Sequence, residues 1–421
     1  MTSLLIALLA ILTLAINPSL VGAASAVLII TLVWLGKRER EAINPYFLFL
    51  STPISLMLYN ESVSETYLPA LGLNVQLTII AGIYAYLAGL LTISGNRQNY
   101  APKKSPRYSF YLILFLGLTP HVIGVLTVGL PLLANDVDAA REAYLVPVLG
   151  QFMFFLPLSM LIAFQRRSKT MIFSSLALNA FFSVIVVSKF SIMFAGLFFL
   201  YSYFRYEGRQ IFRVRPAYLM ALAVVSTPLL FGFVFSARDN TSQSEYNWYQ
   251  GTSFASELMN QYGDYTFLPY LYLTSPWSNF AYLFENDTDL TLGARTIFSL
   301  ASIFQVDKLL SYEPREVRVS AFNTHAYLSD FFLDFHVPGV VILSFLLGCF
   351  VKWIYVRAQR SSDVLTEGIW VTFGFASFML FFSNHFTGLG YPIVALLIFS
   401  VYRYARRLII FVIQNYRWMQ A

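Results

Sequence analysis

Cysteine is almost missing from this 421-residue chain: Cys349 is the only one. No intrachain disulfide can form, and no cysteine-based metal centre can be built. Charge is scarce too. Asp, Glu, Lys and Arg make up 12% of residues, about half the share usual in soluble proteins. Four histidines occur, His121, His325, His336 and His385, and no two are spaced i, i+4. No metal constellation stands out, and no metal or cofactor is expected. The chain has no glycine-rich P-loop for ATP-driven work and no nucleophile elbow. These absences exclude a soluble globular enzyme, a disordered chain and a disulfide scaffold.

What the chain has in quantity is apolar surface. Hydrophobic residues make up 57%, with 40 Phe, 27 Tyr and 6 Trp, and the mean hydropathy is +0.62. The apolar residues fall into blocks of roughly 16 to 24, the length that crosses a bilayer. The blocks are 2–16, 19–36, 44–59, 75–94, 109–132, 143–164, 170–187, 190–204, 216–235, 337–356, 368–383 and 391–408. The expected fold is therefore all-α and polytopic, a single membrane-embedded domain over 1–421 with about twelve transmembrane helices. The first block resembles a signal peptide but lacks a basic start, so it reads as a retained helix.

The loops then orient the chain. Assigned alternately to two sides, those of one side carry 21 of the 28 Lys and Arg and 5 of the 22 acids. The positive-inside rule puts that side and both termini in the cytoplasm. The net charge of +6 is thus an orientation signal against anionic lipid, and no nucleic-acid partner is expected. The opposite side keeps Arg141, Lys189, Arg238, Arg295, Lys308, Arg315 and Arg318. That side also holds the one long loop, 236–336, which is aromatic and reads as helical at Ser253–Met259 and Phe322–Phe335. Long structured loops usually carry function. No internal repeat is evident and charges inside the blocks are few, which weakens a flippase or transporter reading.

Candidate chemistry concentrates on this outer side. Arg pairs bidentately with phosphate and stabilises charge on a phosphate leaving group. Arg141, Lys189, Arg238, Arg295, Arg315 and Arg318 are the candidate grip, with salt bridges to outer acids as the plainer reading. At 100° per residue Asn323, Tyr327, Asp330 and Asp334 share one helix face. With Asn323 or Thr324 as cap, His325 would stand in the first turn, where the helix dipole favours the neutral imidazole of a general base. Asp330 or Asp334 would orient it or the acceptor group. His385 is a second outer histidine, and His121 reads as packing. Asp136-Val-Asp138 and Asp287-Thr-Asp289 read as solvated acids or a divalent-cation site. The aromatics Tyr246, Trp248, Tyr249, Tyr262, Tyr265, Tyr270, Tyr272 and Trp277 read as a glycan platform or as packing.

About twelve spans, cytoplasmic termini and one large outer loop late in the chain resemble the bacterial oligosaccharide repeat-unit polymerases, the Wzy-type O-antigen polymerases. Arg141-Glu-Ala-Tyr144 is similar to that family's outer Arg, and Val187-Ser-Lys-Phe190 to its basic hinge. Asn323-Thr-His-Ala-Tyr327 with Asp334-Phe-His-Val-Pro-Gly339 resembles its N-T…D-F-G-x-x-G stretch, with His336 in place of the glycine. The resemblance implies an inner-membrane enzyme working on its periplasmic face without a metal. It would move a growing glycan from undecaprenyl pyrophosphate to a lipid-linked repeat unit, partnered by a chain-length regulator protein. The same logic fits an O-antigen ligase.

Overall fold

The computed structural model describes residues 19–39, 41–61, 70–94, 105–144, 149–206, 264–286, 289–297, 324–361 and 363–386. Among these, every regular element is helical. Five stretches are long and apolar enough to cross a membrane: Leu20–Arg38, Leu73–Thr92, Arg107–Leu133, Leu328–Gln359 and Val364–Phe381. The expected blocks 2–16, 216–235 and 391–408 lie outside the described residues, as do Arg238, Arg315, Arg318 and the stretch Ser253–Met259.

In chain order the helices are α1 (Leu20–Arg38), α2 (Pro45–Phe49), α3 (Ser51–Glu61), α4 (Leu73–Thr92), α5 (Arg107–Val128) and α6 (Val137–Tyr144). They continue as α7 (Phe155–Gln165), α8 (Lys169–Ile185), α9 (Lys189–Arg205), α10 (Asp264–Asn286), α11 (Leu328–Gln359) and α12 (Val364–Phe378). The expected block 44–59 is split at Leu50, because Pro53 has no N–H for the Phe49 carbonyl. The block 143–164 begins later than expected. Its first residues close a separate amphipathic helix, α6, and the α-helical part starts at Phe155.

The most extensive helix pair is α4 against α11, and glycine is the reason. A Cβ on Gly89 would lie 2.1 Å from the Phe345 carbonyl oxygen, and one on Gly348 would lie 2.2 Å from that of Tyr86. The two backbones therefore touch. In lipid, where apolar side chains gain little from each other over acyl chains, such close approach is what holds helices together.

Helix α11 is folded back on itself. Its backbone leaves helical geometry at Phe335 and His336, with Pro338 just beyond. A Cβ on Gly82 of α4 would lie 2.7 Å from Val340 and 2.8 Å from Leu328. Twelve residues of straight helix would separate those two by about 18 Å. Gly339 likewise sits against the Phe331 carbonyl, at 2.4 Å from a built Cβ. Residues 328–334 thus form a short arm that returns beside 337–359, and the arm is buried throughout.

The expected helix over Phe322–Phe335 starts only at Leu328, capped by no side chain. Residues 324–326 take no regular structure and Tyr327 is the turn residue that leads into the helix; this stretch is held by its neighbours instead. Asn279 Nδ2 donates to Thr324 O at 2.8 Å, Ala326 N to Pro276 O at 3.4 Å, and Tyr327 N to Leu380 O at 3.0 Å. Pro276 and Asn279 belong to α10, a 23-residue helix inside what reads from sequence as an outer loop. Its Trp277 is buried and donates to Ser55 Oγ of α3 at 2.7 Å. Tyr270 is buried too and donates to Leu58 O. These two aromatics are core packing and offer no platform for a glycan.

Contacts sort the helix ends into two sets. At one end Lys352 meets Glu39 at 2.6 Å, and Arg205 meets Glu41 at 2.6 Å and Glu367 at 3.1 Å. Tyr206 donates a short hydrogen bond to the same Glu367. At the other end Ser19 bonds Asn60 at 2.5 Å and Lys189 lies over the Tyr272 ring. Each pair joins residues that the charge count assigns to one side.

The glycine contact is testable by thermal unfolding of the detergent-solubilised protein. Gly89→Val should cost about 3 kcal/mol, because the obstructing atoms are backbone. Gly196→Ala, with nothing within 4 Å, should leave stability unchanged or raise it by up to about 1 kcal/mol.

Candidate functional site

At the end opposite the Glu39, Glu41 and Arg205 ion pairs, a cavity of about 420 Å³ opens among α5, α6, α7, α8, α9 and α12. Its wall is mostly apolar, with Phe154, Leu156, Pro157, Phe182, Phe190, Phe194 and Phe375. The polar groups are few: Arg141, Glu142, His121, His385, Asn179, and the hydroxyls of Ser183, Ser188, Ser191 and Thr372. This is the composition of a site for an amphiphile, in which apolar walls supply burial and a few polar groups fix orientation.

Helix α6 carries Arg141 to the cavity. Asp136 starts the helix by accepting from Ala139 N at 2.9 Å. Asp138 pairs with Arg141 across one turn at 3.3 Å. Those two aspartates therefore serve α6, and among the described residues no group of three or more His, Cys, Asp or Glu is placed to hold a metal. Tyr144 closes the helix by packing over Gly124 of α5 and donating to His121 O at 3.0 Å. His121 stacks on Phe182 at 4.2 Å, with Nδ1 3.3 Å from the Tyr144 hydroxyl.

His385 enters from beyond the last described span. Its ring lies 5.5 Å from that of Phe190 and 6.4 Å from that of Phe375. Nε2 is buried with no hydrogen-bond partner among the described residues. Burial lowers its pKa from 6.5 to about 4, because desolvation disfavours the imidazolium. A neutral imidazole bordering a cavity can accept a proton.

The α8–α9 hinge supplies the next wall. Val187 takes a positive φ of 49°, uncommon for a β-branched residue. Ser188 then caps α9 by accepting from Ser191 N at 3.2 Å. Ser188 lines the cavity, and Lys189 beside it turns toward α10, its Nζ 4.1 Å from the centroid of Tyr272. Tyr272 stacks on Phe382 at 5.0 Å.

The remaining predicted residues gather around the folded arm of α11. Asp334 sits at its turn, fully buried. Its carboxylate accepts from Thr291 Oγ1 at 2.5 Å, Arg295 N at 3.0 Å, Thr296 N at 2.8 Å and Thr296 Oγ1 at 2.5 Å. Those bonds occupy the carboxylate's acceptor positions and cap the short helix at 294–297. Asp334 is thus a tether between residues 291–296 and the arm, with no lone pair left to orient a base. Arg295 is buried beside it.

His325, Tyr327 and Asp330 are buried as well. His325 stands three residues before Leu328, so it is not in the first turn of the helix, where the sequence places it. Tyr327 packs against Tyr86 and Phe331 at 6.4 and 5.9 Å. Of the predicted set, then, Arg141 and His385 share the cavity, Lys189 flanks it, and Arg295, His325, Tyr327, Asp330 and Asp334 surround the arm. Sequence reasoning missed Asn179 on the cavity wall, whose Nδ2 donates to Leu156 O of α7 and to Ser175 O one turn back on α8. An Asn in mid-span was its signal.

Two outcomes follow. His336 holds φ 52°, ψ −149°, a region close to glycine-only, where a side chain costs about 1–3 kcal/mol. Glycine's extra entropy loss is about 0.5–1 kcal/mol, so His336→Gly should raise stability by about 1 kcal/mol in a melt. For His385 the folded pKa lies below the unfolded one, so the unfolded chain binds the proton first as pH falls. Its contribution is complete above pH 6.5 and declines toward pH 4. Melting curves of His385→Gln should therefore fall less over that window than those of the parent.

Compared with family models, curated proteins and solved structures, the chain shows no match to any.

Proposed function

We propose that the chain is a polysaccharide polymerase of the inner membrane. It transfers a growing glycan from undecaprenyl pyrophosphate to a lipid-linked repeat unit at its periplasmic face. The observation that carries this reading is the cavity, where an apolar wall, a cationic Arg141 and a His385 whose Nε2 has no partner among the described residues meet at the end away from the basic loops. A prenyl chain suits the wall and a pyrophosphate suits the cation. The outer orientation of that end rests on the charge count.

In the proposed reaction an acceptor hydroxyl oxygen attacks the anomeric carbon of the donor glycan. The bond from that carbon to the pyrophosphate oxygen breaks, and the pair of electrons leaves with the pyrophosphate. Arg141 and Lys189 stabilise the departing charge, with Arg238, Arg315 and Arg318 as further cations outside the described residues. His385 Nε2 takes the hydroxyl proton, a role for which its place on the cavity wall favours it over His325.

The test is complementation of a deletion strain, read on a polysaccharide ladder. Arg141→Ala and His385→Ala should each cut long chains by about 100-fold at normal expression. Phe173→Ala, at an exposed position of α8, should leave the ladder intact. Wild-type ladders from both site variants would overturn the assignment. The deletion itself should leave lipid A-core bearing one repeat; core bearing none would instead identify a ligase.

A further inference from the structure

We propose that one wall of the cavity, formed by His121, Asn179 and Ser183, binds an uncharged, hydroxyl-rich ligand group such as a sugar ring. The hydrogen-bonding capacity of these side chains carries the inference, whether or not the cavity is catalytic. All three line the cavity and are buried. His121 lies seven residues from the end of α5 and Asn179 six from the end of α8, so both stand roughly 10 Å inside the helix ends.

Contacts tie the three into one surface. The His121 ring stacks on Phe182 of α8 at 4.2 Å. Asn179 and Ser183 stand on either side of Phe182 in the chain, four residues apart and so on one helix face. Asn179 Nδ2 donates to Leu156 O at 3.2 Å. The backbone of Leu156 in turn meets Gly117, one turn before His121, where a Cβ would lie 2.5 Å from Leu156 N. The aromatics of the cavity form a separate cluster. Phe154, Phe190, Phe194 and Phe375 pack on one another, with Phe154 and Phe194 at 5.3 Å and Phe194 and Phe375 at 5.1 Å.

Hydrogen-bond accounting fixes what the polar wall can take. Tyr144 spends its hydroxyl proton on His121 O at 3.0 Å. Toward His121 Nδ1, 3.3 Å away, that hydroxyl can therefore only accept, so Nδ1 carries the ring proton. No carboxylate among the described residues pairs with this buried ring, so it is uncharged, and Nε2 presents a lone pair. Asn179 spends both Nδ2 protons on the carbonyls of Leu156 and Ser175. What it has left is Oδ1, an acceptor. Ser183 adds a hydroxyl, which can accept or donate. Two acceptors and a hydroxyl suit a ligand group that donates. A sugar ring brings several O–H donors, whereas a phosphodiester or sulfate brings oxygens that only accept. The cavity is thus divided, with an anion's place at Arg141 and hydroxyls at His121 and Asn179.

The experiment reads carbethoxylation of His121 by diethyl pyrocarbonate, mapped by peptide mass spectrometry on the full-length protein in phosphatidylcholine nanodiscs. Without a probe, Nε2 should be modified. Octyl glucoside below its micellar concentration should protect His121, and octyl sulfate at the same concentration should not. Asn179→Leu should raise the glucoside concentration for half-protection about tenfold, the worth of one hydrogen bond. Ser183→Ala, which removes only a hydroxyl, should raise it severalfold. In both variants His121 should be modified as in the parent when no probe is present, which shows the fold intact. An unmodified His121, equal protection by the two amphiphiles, or protection unchanged in both variants would overturn the proposal. So would protection in phosphatidylglycerol nanodiscs without glucoside, which would assign the hydroxyls to a lipid headgroup. Protection by glucoside together with wild-type ladders from Arg141→Ala and His385→Ala would keep the sugar site and remove the proposed reaction.

Discussion

The contact of the Gly89 and Gly348 backbones sets the position of nearly everything that matters here. Because α4 and α11 touch main chain to main chain, neither can rotate without driving a carbonyl into the other. The long arm of α11 is thereby pinned, and so is the turn at Phe335–His336 above it. From that turn the short arm runs back over Gly82, and Asp334 at its end holds residues 291–296. Residues 291–296 are thus held against the arm by that carboxylate together with the Leu333 carbonyl, which accepts from Thr291 N at 2.9 Å.

Charge is distributed by task. At the basic-loop end the carboxylates of Glu39, Glu41 and Glu367 pair with Lys352 and Arg205, while Asp363 caps α12. A buried charge left alone costs several kcal/mol, so these pairs exist in one geometry and clamp α1, α9, α11 and α12. At the other end the polar groups are spaced along an apolar cavity, with less demand on one another. Arg141 has a solvent-exposed partner in Asp138, and His385 Nε2 has none among the described residues. The first arrangement favours rigidity, the second leaves hydrogen-bonding capacity for something that is not protein.

The helices themselves were legible because hydropathy over about twenty residues is a strong signal, and the grouping of their ends followed from Lys and Arg in the loops. The arm was not legible. Residues 328–334 and 337–359 are both apolar, so hydropathy runs across the turn, and a histidine stands where the reversal would favour a glycine. Helix α10 was hidden for the opposite reason. Thr274, Ser275, Ser278 and Asn279 dilute its hydropathy, yet all four are buried. Its Tyr270 and Trp277 drew attention as surface aromatics because a sequence shows residue type and not which neighbours enclose it. The cavity is legible only in part: Arg141 and His385 stand out as outer polar residues, but their convergence depends on how α5, α6, α9 and α12 meet.

Two non-glycine residues with strained backbones bear on the site, and each opposes local preference in favour of placement. Val187 accepts a positive φ so that α9 restarts within a residue of where α8 ends, which sets Ser188 on the cavity wall and Lys189 against Tyr272. His336 accepts a near glycine-only conformation so that the arm reverses directly after Asp334. Natural chains tend to violate local rules where position matters more than stability. A chain selected for stability alone would relax both with glycine. Lys189 reaches Tyr272 of α10, and Asn279 and Pro276 of the same helix hold Thr324 and Ala326 at the entry to the arm, so one helix braces both the hinge and the arm.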